Sequence, residues 1–209
     1  GNYSVETFDL NATFASLDIK GEGHYQKNNN IQYRLKIHEI GQVSRQVFQT
    51  DLSVNGEIQG SVQGPLDSLA TQNDFDLANL SYDSLNAKQL KGTVSGLYGD
   101  SIRSGKINIK IDSISDTNQH IKNLSIDGQY ANREFSSFLN VSVHDSLSLL
   151  ANSKIRLSNA PVIYLRELKL DAKNHQWIGG SDSTSILLAK DSVRVNRFRL
   201  QNNKKKAKI

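Results

Sequence analysis

Apolar and polar residues alternate along almost the whole chain. Ile31, Tyr33, Leu35 and Ile37 alternate with Gln32, Arg34, Lys36 and His38, and a period of two sends the two sets to opposite faces of a strand. Phe8, Leu10, Ala12 and Phe14 repeat the pattern, as do Ile107, Ile109 and Ile111 around Asn108 and Lys110. Leu124 with Ile126, Val141 with Val143, Leu168 with Leu170 and Val193 with Val195 are shorter instances. Helical spacing shows only at Leu66, Leu69 and Ala70 and at Leu77 and Leu80, after Pro65 at a plausible first turn. That stretch reads equally well as one short helix or as two strands. The expected fold is all-β: an elongated, curved antiparallel meander with little or no helix.

Breaks in parity, from Phe14 to Leu17 and from Val195 to Phe198, mark strand ends or bulges that re-aim the side chains. Asn55-Gly56 and Asp127-Gly128, each between apolar pairs, predict tight turns. Asn28-Asn29-Asn30, Asn159-Ala160-Pro161 and Gly179-Gly180 add further turn sites. A loose apolar-x-apolar-polar-Gly phrase recurs at 17–21, 52–56 and 124–128, with a weaker form at 90–94, its starts 35, 38 and 34 residues apart. Such spacing predicts stacked hairpins rather than a closed barrel. With no linker-like stretch, residues 1–209 read as one continuous β-repeat segment.

Composition narrows the function classes. Cysteine is absent, which excludes a disulfide scaffold, a thiolate metal site and a cysteine nucleophile. Mean hydropathy is −0.49, and no apolar run approaches the roughly 20 residues of a membrane-spanning helix. Methionine is also absent and the chain opens Gly-Asn-Tyr, which suggests an internal segment of a longer protein. Four of the 25 basic residues are Lys204, Lys205, Lys206 and Lys208, leaving 21 against 21 acidic ones. The body is therefore neutral, and 201–209 reads as a basic, flexible or truncated end. A nucleic-acid domain would spread its cations over one face, so no nucleic-acid partner is expected.

Catalytic and metal motifs fall short. In His144-Asp145-Ser146 adjacent residues of a strand point to opposite faces and cannot align as a triad. His24, His38, His120, His144 and His175 show no metal-ligand spacing. Gly21-Glu22-Gly23 lacks the third glycine of a dinucleotide loop, and no phosphate loop is present. No enzyme, cofactor or metal is expected, and Trp177 reads as a core or rim aromatic.

One short pattern exceeds chance. Asp-Ser followed by an apolar residue or Thr occurs at Ser68, Ser84, Ser101, Ser113, Ser146, Ser183 and Ser192. Asp and Ser hydrogen-bond their own backbone just before a strand, so turn chemistry is one reading. The other is a resemblance to the acceptor motif of an O-glycosylation system of exported proteins in one Gram-negative phylum, which implies a periplasmic location. The five Asn-x-Ser/Thr sequons match what composition gives by chance.

Two stretches carry a family resemblance. Gly64-Pro65-Leu66-Asp67-Ser68-Leu69, with Phe75 to Tyr82 and Leu90 to Gly96, resembles a repeat of the translocation and assembly module subunit TamB and the AsmA-like proteins. Leu168 to Asp171, Trp177, Ile186 and Val193 to Leu200 are similar to that family's closing stretch. The resemblance implies a β-taco, a sheet folded into an apolar-lined gutter. It also implies an inner-membrane anchor outside this segment, a periplasmic span, phospholipid as cargo and a TamA-type outer-membrane barrel as partner.

Independently, a sheet with one apolar face must cover that face with another layer or with a ligand. The expected lipid groove comprises Ile31, Tyr33, Leu35, Ile37, Ile107, Ile109, Ile111, Leu124, Ile126, Leu168, Leu170, Val193 and Val195, with Arg34, Lys36, Lys110 and Arg194 on the solvent side. The alternative is an extended structural or adhesive spacer with a filled core.

Overall fold

The computed structural model describes residues 2–24, 27–38, 40–41, 44–49, 51–99, 102–144, 147–158, 160–173, 175–181, 183–189 and 191–204. Of these, 79% are strand and 2% helix. Strands β1 (Asn2–Ala12), β2 (Ala15–His24) and β3 (Asn28–Ile37) precede a π-helical turn at Ser44–Phe48. The long middle strands follow: β4 (Leu52–Gly64), β5 (Leu69–Tyr82), β6 (Leu85–Tyr98), β7 (Ile102–Ser115), β8 (His120–Ala131) and β9 (Glu134–His144). Then come β10 (Leu147–Arg156), β11 (Val162–Ala172), β12 (His175–Gly179), β13 (Ser185–Ala189), β14 (Ser192–Asn196) and β15 (Leu200–Lys204). All fifteen belong to one open antiparallel sheet.

From β1 to β11 each strand pairs with the next. At β11 the partner changes midway: Leu168–Ala172 pairs with β12 and Val162–Tyr164 with β13. β12 and β13 thus form one line along β11, interrupted by 180–184. β15 lies on β12 and β14 on β13, so these two form a second line, interrupted by 197–199. The result is a meander thirteen strand positions wide, roughly 58 Å from edge to edge at ~4.8 Å per strand. Among the described residues, element contacts run only between hydrogen-bonded neighbours and between the π-turn and β4. The accessible surface is 14298 Å², whereas a compact chain of this mass exposes about 9,700 Å². Among the described residues no second layer covers the sheet.

Several details depart from the sequence reading. Asn55-Gly56 and Asp127-Gly128 lie inside β4 and β8 and are not turns. The first is a bulge: the register shifts there, and Gly56 has φ +149° with a Cβ position 2.6 Å from Leu77 Cα, a geometry that only glycine tolerates. The stretch with helical spacing, Leu66 to Leu80, is a turn followed by β5. Residues 201–204, which the sequence groups with a basic chain end, complete β15, while 205–209 lie outside the described residues.

Candidate functional site

Antiparallel partners stand on the same face of a sheet, so register alone traces which residues share a side. One row runs Leu10, Leu17, Leu35, Ile58, Phe75, Gly92, Ile109, Ile126, Leu139, Ala151, Leu168, Gly179 and Leu200. The adjacent row runs Ala12, Ala15, Ile37, Gly56, Leu77, Leu90, Ile111, Leu124, Val141, Leu149, Leu170, Trp177 and Asn202. Together they form an apolar lane crossing every strand position from β1 to β15, with Asn202 at the end of the second row. At the positions that register assigns to this face on β1 to β14 no Asp, Glu, Lys or Arg occurs, and on β15 register places Lys204, the partner of His175, on it.

The face folds over this lane. Gln89 (φ 53°) and Asn123 (φ 49°) are left-handed in mid-strand, and the register shifts at Asn55/Gly56 and Lys122/Leu124. These irregularities fall side by side across β4 to β9 and make one transverse crease. The only apolar residues with relative exposure of 9% or less among the described residues, Val54, Leu77, Ala87, Ile111 and Val141, flank that crease. Bulges bend a strand and deepen its twist, and burial concentrated on one side of a bend identifies that side as the inside. Glycines agree: every strand glycine, from Gly21 on β2 to Gly179 on β12, sits on the apolar face. Four of them, Gly60, Gly92, Gly96 and Gly128, lie against the rings of Tyr33, Phe75, Tyr98 and Phe135. A Cβ on Gly60 would meet Tyr33 Cζ at 2.6 Å, and one on Gly92 would meet Phe75 Cζ at 2.6 Å.

Polar groups on this face are satisfied among themselves, which removes the cost of burying them unpaired. Tyr33 donates to Asn73 Oδ1 across Gly60. Asn29, 5% exposed, donates to Gly64 O at 2.8 Å and accepts from Tyr3. Ser137 and Ser153 hydroxyls pair at 2.8 Å.

The thirteen expected groove residues all fall on this face, but at different places in it. Leu35, Ile37, Ile109, Ile111, Leu124, Ile126, Leu168 and Leu170 lie in the lane. Ile31, Tyr33 and Ile107 stand one or two rows away from it. Val193 and Val195 are not in the lane: they sit on β14, beside β13, 65% and 54% exposed. Arg34, Lys36, Lys110 and Arg194 are exposed on the opposite face. There Arg34 pairs with Glu57 at 3.0 Å and Lys91 with Asp76 at 2.9 Å. Lys154 and Arg156 flank Glu134 at 2.6 and 3.5 Å, and the hydrogen bond from Lys154 is the main cause holding that carboxyl below its usual range.

Shallow depressions of about 440 to 520 Å³ open on the polar face, one of them between Asp18, Lys20, Gln32, Arg34, Gln59 and Asp74. They are gaps between long side chains and gather no converging set of groups. The apolar lane is an open surface rather than a pocket. Among the described residues no cluster of three His, Asp or Glu side chains comes together.

Five of the seven Asp-Ser serines are described. Ser68 and Ser84 occupy turns ahead of β5 and β6, Ser183 lies in the 180–184 interruption, and Ser192 opens β14. Those placements fit turn chemistry. Ser113 departs from it, lying within β7 beside the crease. Ser101 and Ser146 lie outside the described residues.

Sequence reasoning missed the crease, although its signal was present: apolar pairs three apart recur on successive strands at Leu77/Leu80, Ala87/Leu90, Ile111/Ile114 and Ile121/Leu124. No family model matches the chain, and no curated protein or solved structure is similar to it.

Proposed function

We propose that this chain is a segment of a lipid conduit, carrying phospholipid acyl chains along the apolar lane in support of outer-membrane biogenesis. The carrying observation is the lane itself: two adjacent apolar rows, free of charge, running unbroken across the sheet and left uncovered by any second layer. Each methylene taken from water contributes about 0.8 kcal/mol. An acyl chain lying on the lane is therefore held, and with no polar pocket to pin it, it can slide from one cross-strand position to the next. In this reading the segment is periplasmic, part of an inner-membrane-anchored protein, and any TamA-type barrel partner is met through regions outside these 209 residues. The resemblance to TamB and AsmA-like proteins supports it, and no catalytic step is assigned.

Photo-crosslinking of lipid in cells tests this reading. A probe at position 109, in the lane, should label strongly, and one at position 110, on the polar face, should not. Ile109→Asp puts a charge that costs several kcal/mol to desolvate into the lane and should block passage, whereas Lys110→Asp should leave it intact. Equal labelling at 109 and 110 would refute the conduit and leave the filled-core spacer.

A further inference from the structure

We infer that the apolar face orients the lipid it carries, with acyl tails toward the crease and the glycerol ester groups toward a strip of neutral hydrogen-bond donors on the other flank of the lane. This rests on the conduit reading above and adds which part of the lipid each flank takes.

The two flanks differ in kind. On the crease side the level next to the lane is Val54, Leu80, Ala87, Ile114 and Ile121, successive register partners from β4 to β8. All five are apolar, and Val54 and Ala87 are buried. Tyr82 stands one level further out, exposed at the rim. On the other side the first level holds Tyr33, Asn73, Ser137 and Ser153, and the second holds Thr71 and Tyr130. These six are half-buried and none is charged.

The apolar flank offers an ester carbonyl no partner, and an acceptor taken from water without one is costly. The opposite flank offers several. Asn73 accepts from Tyr33 through Oδ1, which leaves its amide N–H groups without a partner among the described residues, as are the Thr71 and Tyr130 hydroxyls. The Ser137 and Ser153 pair at 2.8 Å engages one hydroxyl hydrogen and leaves the other to donate. One net hydrogen bond biases the orientation by a factor of about 3 to 10. Asn73 and Leu80 stand seven positions apart on β5, roughly 23 Å of extended strand, a span comparable to one extended fatty acyl chain. The donors recur from β3 to β10 and converge nowhere, so they set which way the lipid lies without stopping its movement along the lane. With no cation in the strip, the phosphate is not what is recognised, and lipids of different headgroup charge are accepted alike.

Two photoactivatable phosphatidylethanolamines test this on the 209-residue chain, one with a diazirine at the acyl terminus and one with it beside the ester. Peptide mass spectrometry after illumination should place the terminal probe at Leu80, Ala87 and Ile114 and the ester-side probe at Tyr33, Asn73 and Tyr130, each enriched about threefold or more over the other flank. Asn73→Leu, which keeps the size and removes the donors, should lower the ester-side enrichment about threefold, whereas Gln72→Leu on the polar face should not. Unlabelled phosphatidylglycerol and phosphatidylethanolamine should displace the probes equally. The same distribution for both probes, a reversed one, or a clear preference for the anionic lipid would overturn the orientation and leave the conduit standing. Labelling of neither flank by either probe would overturn both.

Discussion

The middle of the sheet and its two ends use the same residue types with opposite results. On β5 and β7, Leu77 and Ile111 are each 9% exposed; at the ends, Leu10 and Val195 are each 54% exposed, on the same apolar face and with the same alternation. Among the described residues no second layer covers either region, so the difference does not come from packing between sheets. It comes from neighbours on both sides and from the crease, which folds side chains from either flank over one another. In a sheet one layer thick, burial is a property of bending and of position along the row, and the strongest apolar pattern in the sequence says nothing about either.

The largest test of this contrast is a charge at each place. Ile111→Asp should cost about 3 kcal/mol or more, since a carboxylate in the crease must be desolvated or protonated there. Val195→Asp should change stability by less than about 0.5 kcal/mol. Urea unfolding followed by circular dichroism measures both, and similar costs would mean that the crease is not the core.

Truncation gives the next largest effect. Leu77→Ala should destabilise by about 2–4 kcal/mol through lost burial and the cavity left at the bend, and Leu10→Ala by less than about 1 kcal/mol. Differential scanning calorimetry on the two variants resolves that gap.

A finer contrast lies among the glycines. Gly92→Ala drives its Cβ into Asn108 O and the Phe75 ring and should cost about 1–3 kcal/mol. At Gly105 the nearest atom to an added Cβ is Ser95 O at 3.1 Å, so Gly105→Ala should cost less. Equal effects would show that the close approaches at Gly92 contribute nothing to holding the curve.

The smallest effect is in pH. The Glu134 carboxyl is held below its usual range by Lys154, and Asp116 by the backbone N–H groups of Asn118 and Gln119 at 2.7 Å. A carboxylate with a lowered folded pKa adds stability above its unfolded pKa and loses it as pH falls through the folded one. Stability should therefore decline slightly below the ordinary carboxylate range, and Glu134→Gln should flatten part of that decline in acid titrations of the unfolding midpoint.

The sequence by itself determined the class of fold and the sidedness of nearly every strand. Ile31 to Ile37 and Ile107 to Ile111 could be assigned to one face without coordinates because side-chain direction in a strand has a period of two, a local property. It also showed the neutrality of the body. It misread Asn55-Gly56 as a turn because the same residues serve a hairpin or a mid-strand bulge, and only the strand opposite decides which. It left Leu77 and Leu80 open between helix and strand for a related reason: a spacing of three fits one turn of helix or one extra residue in a strand. That four strands place such a residue at the same level, and so crease the sheet and bury Ile111 while leaving Val195 bare, depends on register between segments far apart in the chain. Register is fixed by pairing across the sheet, and that belongs to the tertiary structure alone.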